Sequence, residues 1–347
     1  GSKYAVACVN GTSALQVSLR LLGVVPGDEV IVPTLTFIAP VNAVSYNRAV
    51  PIFMDCDDHF NLDSAKTIDF ILNKTETVWH SDSPGGLPVT INKQTGKRIG
   101  AIIPVHVWGN AAKLDELVPL CEERGIAVVE DASESLGTIY KVGLFSGKHT
   151  GTIGRLGCIS FNGNKIITAG GGGMILTDDY KLAEKARYLT NQAKDDPVKY
   201  IHDEIGYNFR LTNIQAALGV AQLEQLPGYL ERKKEIRQQY SDGVEKIAGL
   251  KLAESPDYAD NNCWLNVIEI NEQTYAQNKE MLIKNLEQNG IQCRPVWALN
   301  HRQKPYERCN NYQIDRAEQM ANHSLCLPSS SNLTISDIQK VITVLHG

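Results

Sequence analysis

Short apolar runs alternate with helical patterns through the first half of this chain, and that alternation limits the folds open to it. Residues 5–9, 29–32, 51–54, 101–107, 127–130, 158–161 and 174–177 are near-continuous apolar segments. Strands buried on both faces read this way, whereas half-exposed strands alternate in polarity. Between them, residues 12–22, 38–46, 65–73 and 114–124 carry helical periodicity. Strands separated by helices predict an α/β fold, a mostly parallel seven-stranded sheet flanked by helices. In such sheets, ligands collect at the carboxyl ends of the strands.

The pattern changes further along. Residues 213–246 read as helical, with Pro227-Gly228 marking a bend or break. LNVIEI (265–270) then reads as a strand, 275–288 as a helix, IQCRPVW (291–297) as a strand and 336–345 as a final helix. This predicts a smaller C-terminal α+β domain, with a large domain over 1–226 and the small one over 227–347. Residues 77–100 carry the turn-rich PGGLP and NKQTGK and read as a surface hairpin, either inert or serving as a wall of a site or a contact between subunits.

At 347 residues the chain is long enough for a large core. Its charges are mixed, with a net charge of −5 and no long basic run, which argues against nucleic acid as the main partner. Eight scattered cysteines form no C-x-x-C pair, so neither a zinc ribbon nor a redox dithiol is expected and no metal site is predicted. Such cysteines fit a reducing cytoplasm. No apolar stretch reaches membrane-spanning length and no signal peptide is visible. The chain begins without methionine almost directly in a strand, which reads as a fragment or a processed chain.

The chemistry centres on NGNKIITAGGGGM, residues 162–174, where Lys165 lies between a strand and four glycines. Glycine permits close backbone approach to a ligand. A lysine held there can lose its proton and attack a carbonyl. A P-loop would place the lysine after the glycines, and a dinucleotide fingerprint would lead into a helix rather than the strand-like GMILTD. The remaining reading is a Schiff base between Lys165 and pyridoxal phosphate (PLP), against the plain alternative of a surface lysine beside a loop. PLP also needs an anion at its pyridine nitrogen, donors for its phosphate and a surface against its ring. Asp131 ends an apolar strand and can serve the nitrogen, or simply cap a helix. In NGTSAL (10–15), Thr12 and Ser13 open a helix whose free N–H groups and dipole suit a dianion; the plain alternative is again a cap. Ser160 can add a hydroxyl, and Phe37 in PTLTFIAP can stack on the ring or pack in the core. His106, at a strand end, reads either as a residue near the ring or as a core histidine.

NGTSAL, VPTLTFIA, PVHVWG, VVEDASESLG, SFNGNK followed by GGGGM, and GYNFRLTNIQAALG stand in the order and at the spacing of one family. Across essentially its whole length the chain resembles the nucleotide-sugar aminotransferases, fold-type I PLP enzymes. It is most similar to 4-aminotransferases for UDP- or GDP-linked 4-keto-6-deoxy-N-acetylhexosamines, which feed bacillosamine or legionaminic acid pathways. The resemblance implies that Lys165 carries the cofactor, that Asp131 pairs with the pyridine nitrogen, and that Thr12, Ser13 and Ser160 contact the phosphate. It implies that Phe37 lies near the ring and that Asn208 reaches the phosphate in the neighbouring subunit of an obligate homodimer. It places Glu134, where many relatives have glutamine, near the ring's phenolate oxygen. An ionised glutamate cannot donate there, so Glu134 is expected to be protonated or held by another donor. His301 is implied near the sugar or its diphosphate, with Arg210, Lys199 and Arg302 as basic candidates for the diphosphate. AGGGGM departs from a glycine–glutamate–glycine pattern, and family chains usually carry an extra N-terminal segment, leaving part of the substrate wall outside this sequence.

The implied reaction has two halves. Glutamate displaces Lys165 from the cofactor aldehyde, and the freed amine takes the α-proton and returns it at the aldehyde carbon. A nucleotide-linked 4-keto sugar then receives the amino group. The rivals are a PLP-dependent sugar dehydratase, whose branch has histidine in place of the lysine, and a non-catalytic sensor on the same fold. A nicotinamide oxidoreductase lacks its glycine fingerprint.

Overall fold

The computed structural model describes residues 1–79, 88–196 and 198–347. All seven anticipated strands join one sheet. Its order is Tyr4–Cys8, Gly173–Thr177, Leu156–Ser160, Ala127–Asp131, Ile99–Ile102, Glu29–Pro33 and Val50–Met54, followed by an eighth strand, Asn311–Tyr312. Gly173–Thr177 runs antiparallel to both neighbours and every other pair is parallel. The eighth strand corrects the expected count. It has two residues and no apolar run, and exists only because the chain returns to pair with Val50–Met54.

Helices Gly11–Leu21, Ala39–Tyr46, Ser64–Lys74, Leu117–Glu123 and Tyr180–Thr190 accompany this sheet. Gly11–Leu21 buries Ala14, Leu15, Val17 and Leu19 in the main core. A second helix-lined layer gathers Phe70, Ile71, Leu117 and Cys121. Burial of each large apolar side chain contributes about 1.5–3 kcal/mol. Residues 77–100 contain half of an antiparallel pair, Thr75–Val78 with Val89–Asn92. Most of the PGGLP turn lies outside the described residues.

A second sheet is antiparallel and draws only on residues beyond 226. Its order is Leu250–Leu252, Asn266–Ile270, Ser324–Leu327, Arg294–Pro295. Helices Leu226–Val244, Lys279–Gln288 and Ile335–His346 cover it through Ile236, Tyr240, Leu282, Leu286, Ile338 and Leu345. The anticipated break near Pro227 lies at Gln225, which ends helix Asn213–Glu224, while Pro227 sits in the first turn of the next helix, where its missing N–H costs nothing. The expected strand at 291–297 shrinks to Arg294–Pro295.

Candidate active site

At the carboxyl ends of the parallel strands lies a cavity of about 560 Å³. Six residues anticipated from motifs line it: Thr12, Phe37, Asp131, Glu134, Ser160 and Lys165. The carboxyl-end rule for parallel sheets thus places them together.

Lys165 stands on the turn after strand Leu156–Ser160, its amide bonded to the Asn162 carbonyl at 3.1 Å. Its side chain is 13% exposed, and Nζ lies 3.5 Å from Glu134 Oε1. Glu134 Oε2 accepts the Trp108 amide at 2.8 Å. Trp108 holds φ +55° in the turn Val107–Gly109. Burial pushes the Glu134 carboxyl above its ordinary range, opposed by the Lys165 charge and the Trp108 N–H. The Trp108 amide thus holds one carboxylate oxygen, and burial favours the protonated form of the other.

Asp131 closes its strand at 4% exposure. Its Oδ1 accepts the Ser133 amide at 3.0 Å, and among the described residues no cation pairs with it. Helix Gly11–Leu21 points its first turn at the same space. Asn10 caps it by accepting the Ser13 amide at 2.7 Å. A Cβ on Gly11 would lie 2.9 Å from Ser160 Cβ and 3.1 Å from Ser133 Oγ, so only glycine seats the helix this closely. The four glycines after Lys165 do not touch the cavity. A Cβ at Gly173 would fall 2.5 Å from the Asn10 carbonyl carbon and 2.7 Å from the Gly11 nitrogen. Gly173 thus makes room for the helix start, whereas the sequence reading assigns the tract to close approach of a ligand.

Other anticipated residues lie elsewhere. Ser13 spends its amide on the cap and does not line the cavity. His106 is fully buried: Nδ1 accepts the Ala112 amide at 3.0 Å, so Nε2 carries the proton, 2.9 Å from Glu130. The core-histidine reading is the one observed. His301 Nδ1 meets Thr34 Oγ1 at 2.7 Å, behind the cavity wall. Asn208, Arg210 and Lys199 are exposed and Arg302 pairs with Glu318, all away from this chain's own cavity. The described part of the 77–100 excursion is not in the wall either.

The far wall had no motif to announce it. Trp264, Arg294 and Trp297 come from the C-terminal half. Trp297 packs 6.3 Å from Phe37 and 5.3 Å from Trp108, ring centre to ring centre, building an aromatic side to the site. Arg294 and Lys165 are the cations of the lining, and Asp131 and Glu134 are its acids.

A largely buried lysine, an unpaired buried carboxylate and a helix start around one cavity are the features of a PLP-dependent transferase. The model of the DegT/DnrJ/EryC1/StrS aminotransferase family matches residues 1–346, and the chain belongs to that family of nucleotide-sugar aminotransferases. Similar proteins include EpsN of Bacillus subtilis (strain 168), provisionally named a pyridoxal phosphate-dependent aminotransferase. It is 37% identical over 99% of this chain and 84% of its own length. GDP-perosamine synthase of Caulobacter vibrioides is 35% identical over 99% of this chain and 85% of its own. A crystal structure of a DegT DnrJ EryC1 StrS aminotransferase from Brucella abortus superposes with a TM-score of 0.86 at 27% identity, over 99% of this chain and 86% of that one.

The residues present fit the family's cofactor. The Gly11 seat leaves the helix start open to a phosphate, Asp131 is free to hold a ring nitrogen's proton, and Lys165 is close enough to the surface to be reached.

Proposed function

We propose that the protein moves an amino group from glutamate to the 4-keto carbon of a nucleotide-linked 4-keto-6-deoxy-N-acetylhexosamine, in a route towards bacillosamine or legionaminic acid. One observation carries the reading: Lys165 Nζ, the Asp131 carboxylate and the start of helix Gly11–Leu21 open on one cavity. PLP, when bound, supplies the electron-withdrawing ring that makes the donor's α-proton removable. Lys165 Nζ is the group that takes and returns that proton. Asp131 keeps a proton at the ring nitrogen, and the amides of the helix start with Thr12 and Ser160 hold the phosphate. Glu134, held by the Trp108 amide, can donate to the phenolate oxygen in its protonated form. Lysine at 165 favours transamination over the dehydratase reading.

The choice of position 4 and of an acetamido sugar rests on the sequence resemblance. The relatives' names span a GDP-linked product and, in Acidithiobacillus ferrooxidans, a UDP-linked sugar aminated at position 3. A panel of UDP- and GDP-linked 3-keto and 4-keto sugars, with glutamate as donor, decides it. Turnover confined to 3-keto sugars would overturn the reading, and Lys165→Ala should abolish transfer on every substrate.

The reading includes a homodimer with shared sites and a division of the chain at 226/227. Helix Asn213–Glu224 buries none of its residues, and Ile214 (85%) and Leu218 (45%), one turn apart on the same face, are exposed. Such an apolar face on a monomer marks a contact surface. Asn208 and Arg210 are exposed just ahead of it in the chain, which supports their reaching a neighbouring subunit. Asn208→Ala should then weaken PLP retention although Asn208 is outside its own chain's cavity.

A further inference from the structure

Lys165 is enclosed on one side by a residue from the other half of the chain. Its Nζ lies 4.2 Å from the centre of the Trp264 ring. The indole is only 5% exposed, and its Nε1–H donates to the carbonyl of Asn164, the residue before Lys165, at 2.8 Å. The same short segment grips the other side of the site. The Trp264 amide donates to Asn262 Oδ1 at 3.0 Å, and Asn262 Nδ2 donates to the Glu134 carbonyl at 2.8 Å. Behind the indole, Lys233 Nζ donates to the Trp264 carbonyl at 2.5 Å and to the Ser329 carbonyl.

Lys165 and Trp264 also form a partition. Both line the main cavity and both line a second one of about 300 Å³, bounded by Tyr229, Lys233 and Ser329 among others. We propose that Trp264 is a positioning residue for Lys165: its ring face holds the ammonium, its N–H fixes the turn that carries it, and Lys233 anchors the main chain at Trp264 through its carbonyl. The inference rests on the reading of Lys165 as the attachment lysine.

The physical basis is simple. An aromatic face attracts a cation and not a neutral amine, by about 0.5–2 kcal/mol depending on desolvation. Trp264 therefore favours the proton-bearing form of Lys165 and keeps its Nζ at one place between proton uptake and return. Other charged or titratable groups share the space. Asp131, Glu134, Arg294, Cys293 and Cys326 line the larger cavity, and Tyr229 and Lys233 the smaller. All of them remain when Trp264 alone is altered, so they cancel in the comparison.

The test uses PLP-free full-length protein. Lys165 is acylated with acetic anhydride over a pH series and its modification is read by peptide mass spectrometry. In Trp264→Leu the midpoint of the rate profile should move down by about 0.5–1 pH unit, and Trp264→Phe, which keeps a ring face, should restore most of it. Should Trp264→Leu fail to fold, protein carrying a fluorinated tryptophan at position 264 alone, inserted at an amber codon, weakens the ring's attraction without changing its shape. Its midpoint should fall in the same direction. A role in packing alone would lower thermal stability and leave that midpoint in place. Midpoints within about 0.2 pH unit of wild type in the fluorinated protein would overturn the proposal. Borohydride reduction of the PLP-loaded protein separates the two readings. A pyridoxyl group on another lysine defeats the Lys165 assignment, while one on Lys165 with an unmoved midpoint defeats the role of Trp264.

Discussion

His106 Nε2 and Glu130 Oε2 meet at 2.9 Å with both side chains sealed from water. Glu130 also accepts the amides of Gly151 at 2.9 Å, Ile153 at 2.5 Å and Gly154 at 2.7 Å. A buried carboxylate is tolerated only when its lone pairs are filled, and four donors fill them here. The neighbour in sequence, Asp131, is turned the opposite way into the cavity. The histidine is thus part of the frame that aims Asp131. His106→Gln should cost about 3 kcal/mol of stability, because it disturbs a buried hydrogen-bonded charge. Any variant that stays folded should keep its KM for both substrates. A selective rise in KM for the sugar nucleotide would restore His106 as a substrate contact.

Glu134 makes stability depend on pH with a definite sign. Its carboxyl is raised by burial above the ordinary 4.5. A group raised on folding contributes stability that is complete below its unfolded value and is lost as pH climbs through its folded value. Glu134→Gln has no proton to lose. The PLP-free variant should therefore gain on wild type as pH rises above the ordinary 4.5, seen as a widening gap between denaturation midpoints. Parallel curves over that window would mean that Lys165 and the Trp108 amide fully offset the burial.

Much of this arrangement is legible in the chain, for local reasons. The seven long strands show because each is a buried apolar run, and Lys165, Asp131 and Thr12 show because each sits where such a run ends. Asn311–Tyr312 does not show, since two residues carry no pattern and the pairing alone makes the strand. Ser324–Leu327, in the interior of the second sheet, hides because only three apolar residues follow a serine directly after a helix. Trp264, Arg294 and Trp297 are illegible for a different reason. Their place in the site is set by how the second sheet packs against the first, and no spacing in the sequence encodes that. His106 misleads because a strand-end histidine looks the same whether it faces ligand or core.

Lys233 offers a pH test in the alkaline range. Burial depresses its ammonium from 10.5 to about 8. A cation depressed on folding contributes stability that is present above the unfolded value and is lost as pH falls through the folded one. Wild type should therefore gain on Lys233→Met between about pH 8 and 10.5, by on the order of 3 kcal/mol in all. The difference between the two proteins cancels other lysines and tyrosines titrating in that range. A difference that stays flat would show Lys233 neutral or fully compensated throughout.

Two glycines of the same tract separate close approach from backbone strain. At Gly173 an added Cβ would strike the Asn10 carbonyl carbon at 2.5 Å and the Gly11 nitrogen at 2.7 Å, backbone atoms that cannot swing aside. At Gly170 nothing lies within 4 Å, but φ is +73°. Gly170→Ala should therefore cost only the left-handed penalty of about 1–2 kcal/mol and leave PLP binding near wild type. Gly173→Ala should push the strand off the start of helix Gly11–Leu21, at about 2–4 kcal/mol. Because that helix start is the proposed phosphate seat, its PLP dissociation constant should rise at least about tenfold, a factor worth 1.4 kcal/mol. Thermal denaturation and fluorescence titration of PLP read the two effects separately. Equal PLP affinities in the two variants would show that the phosphate is held elsewhere.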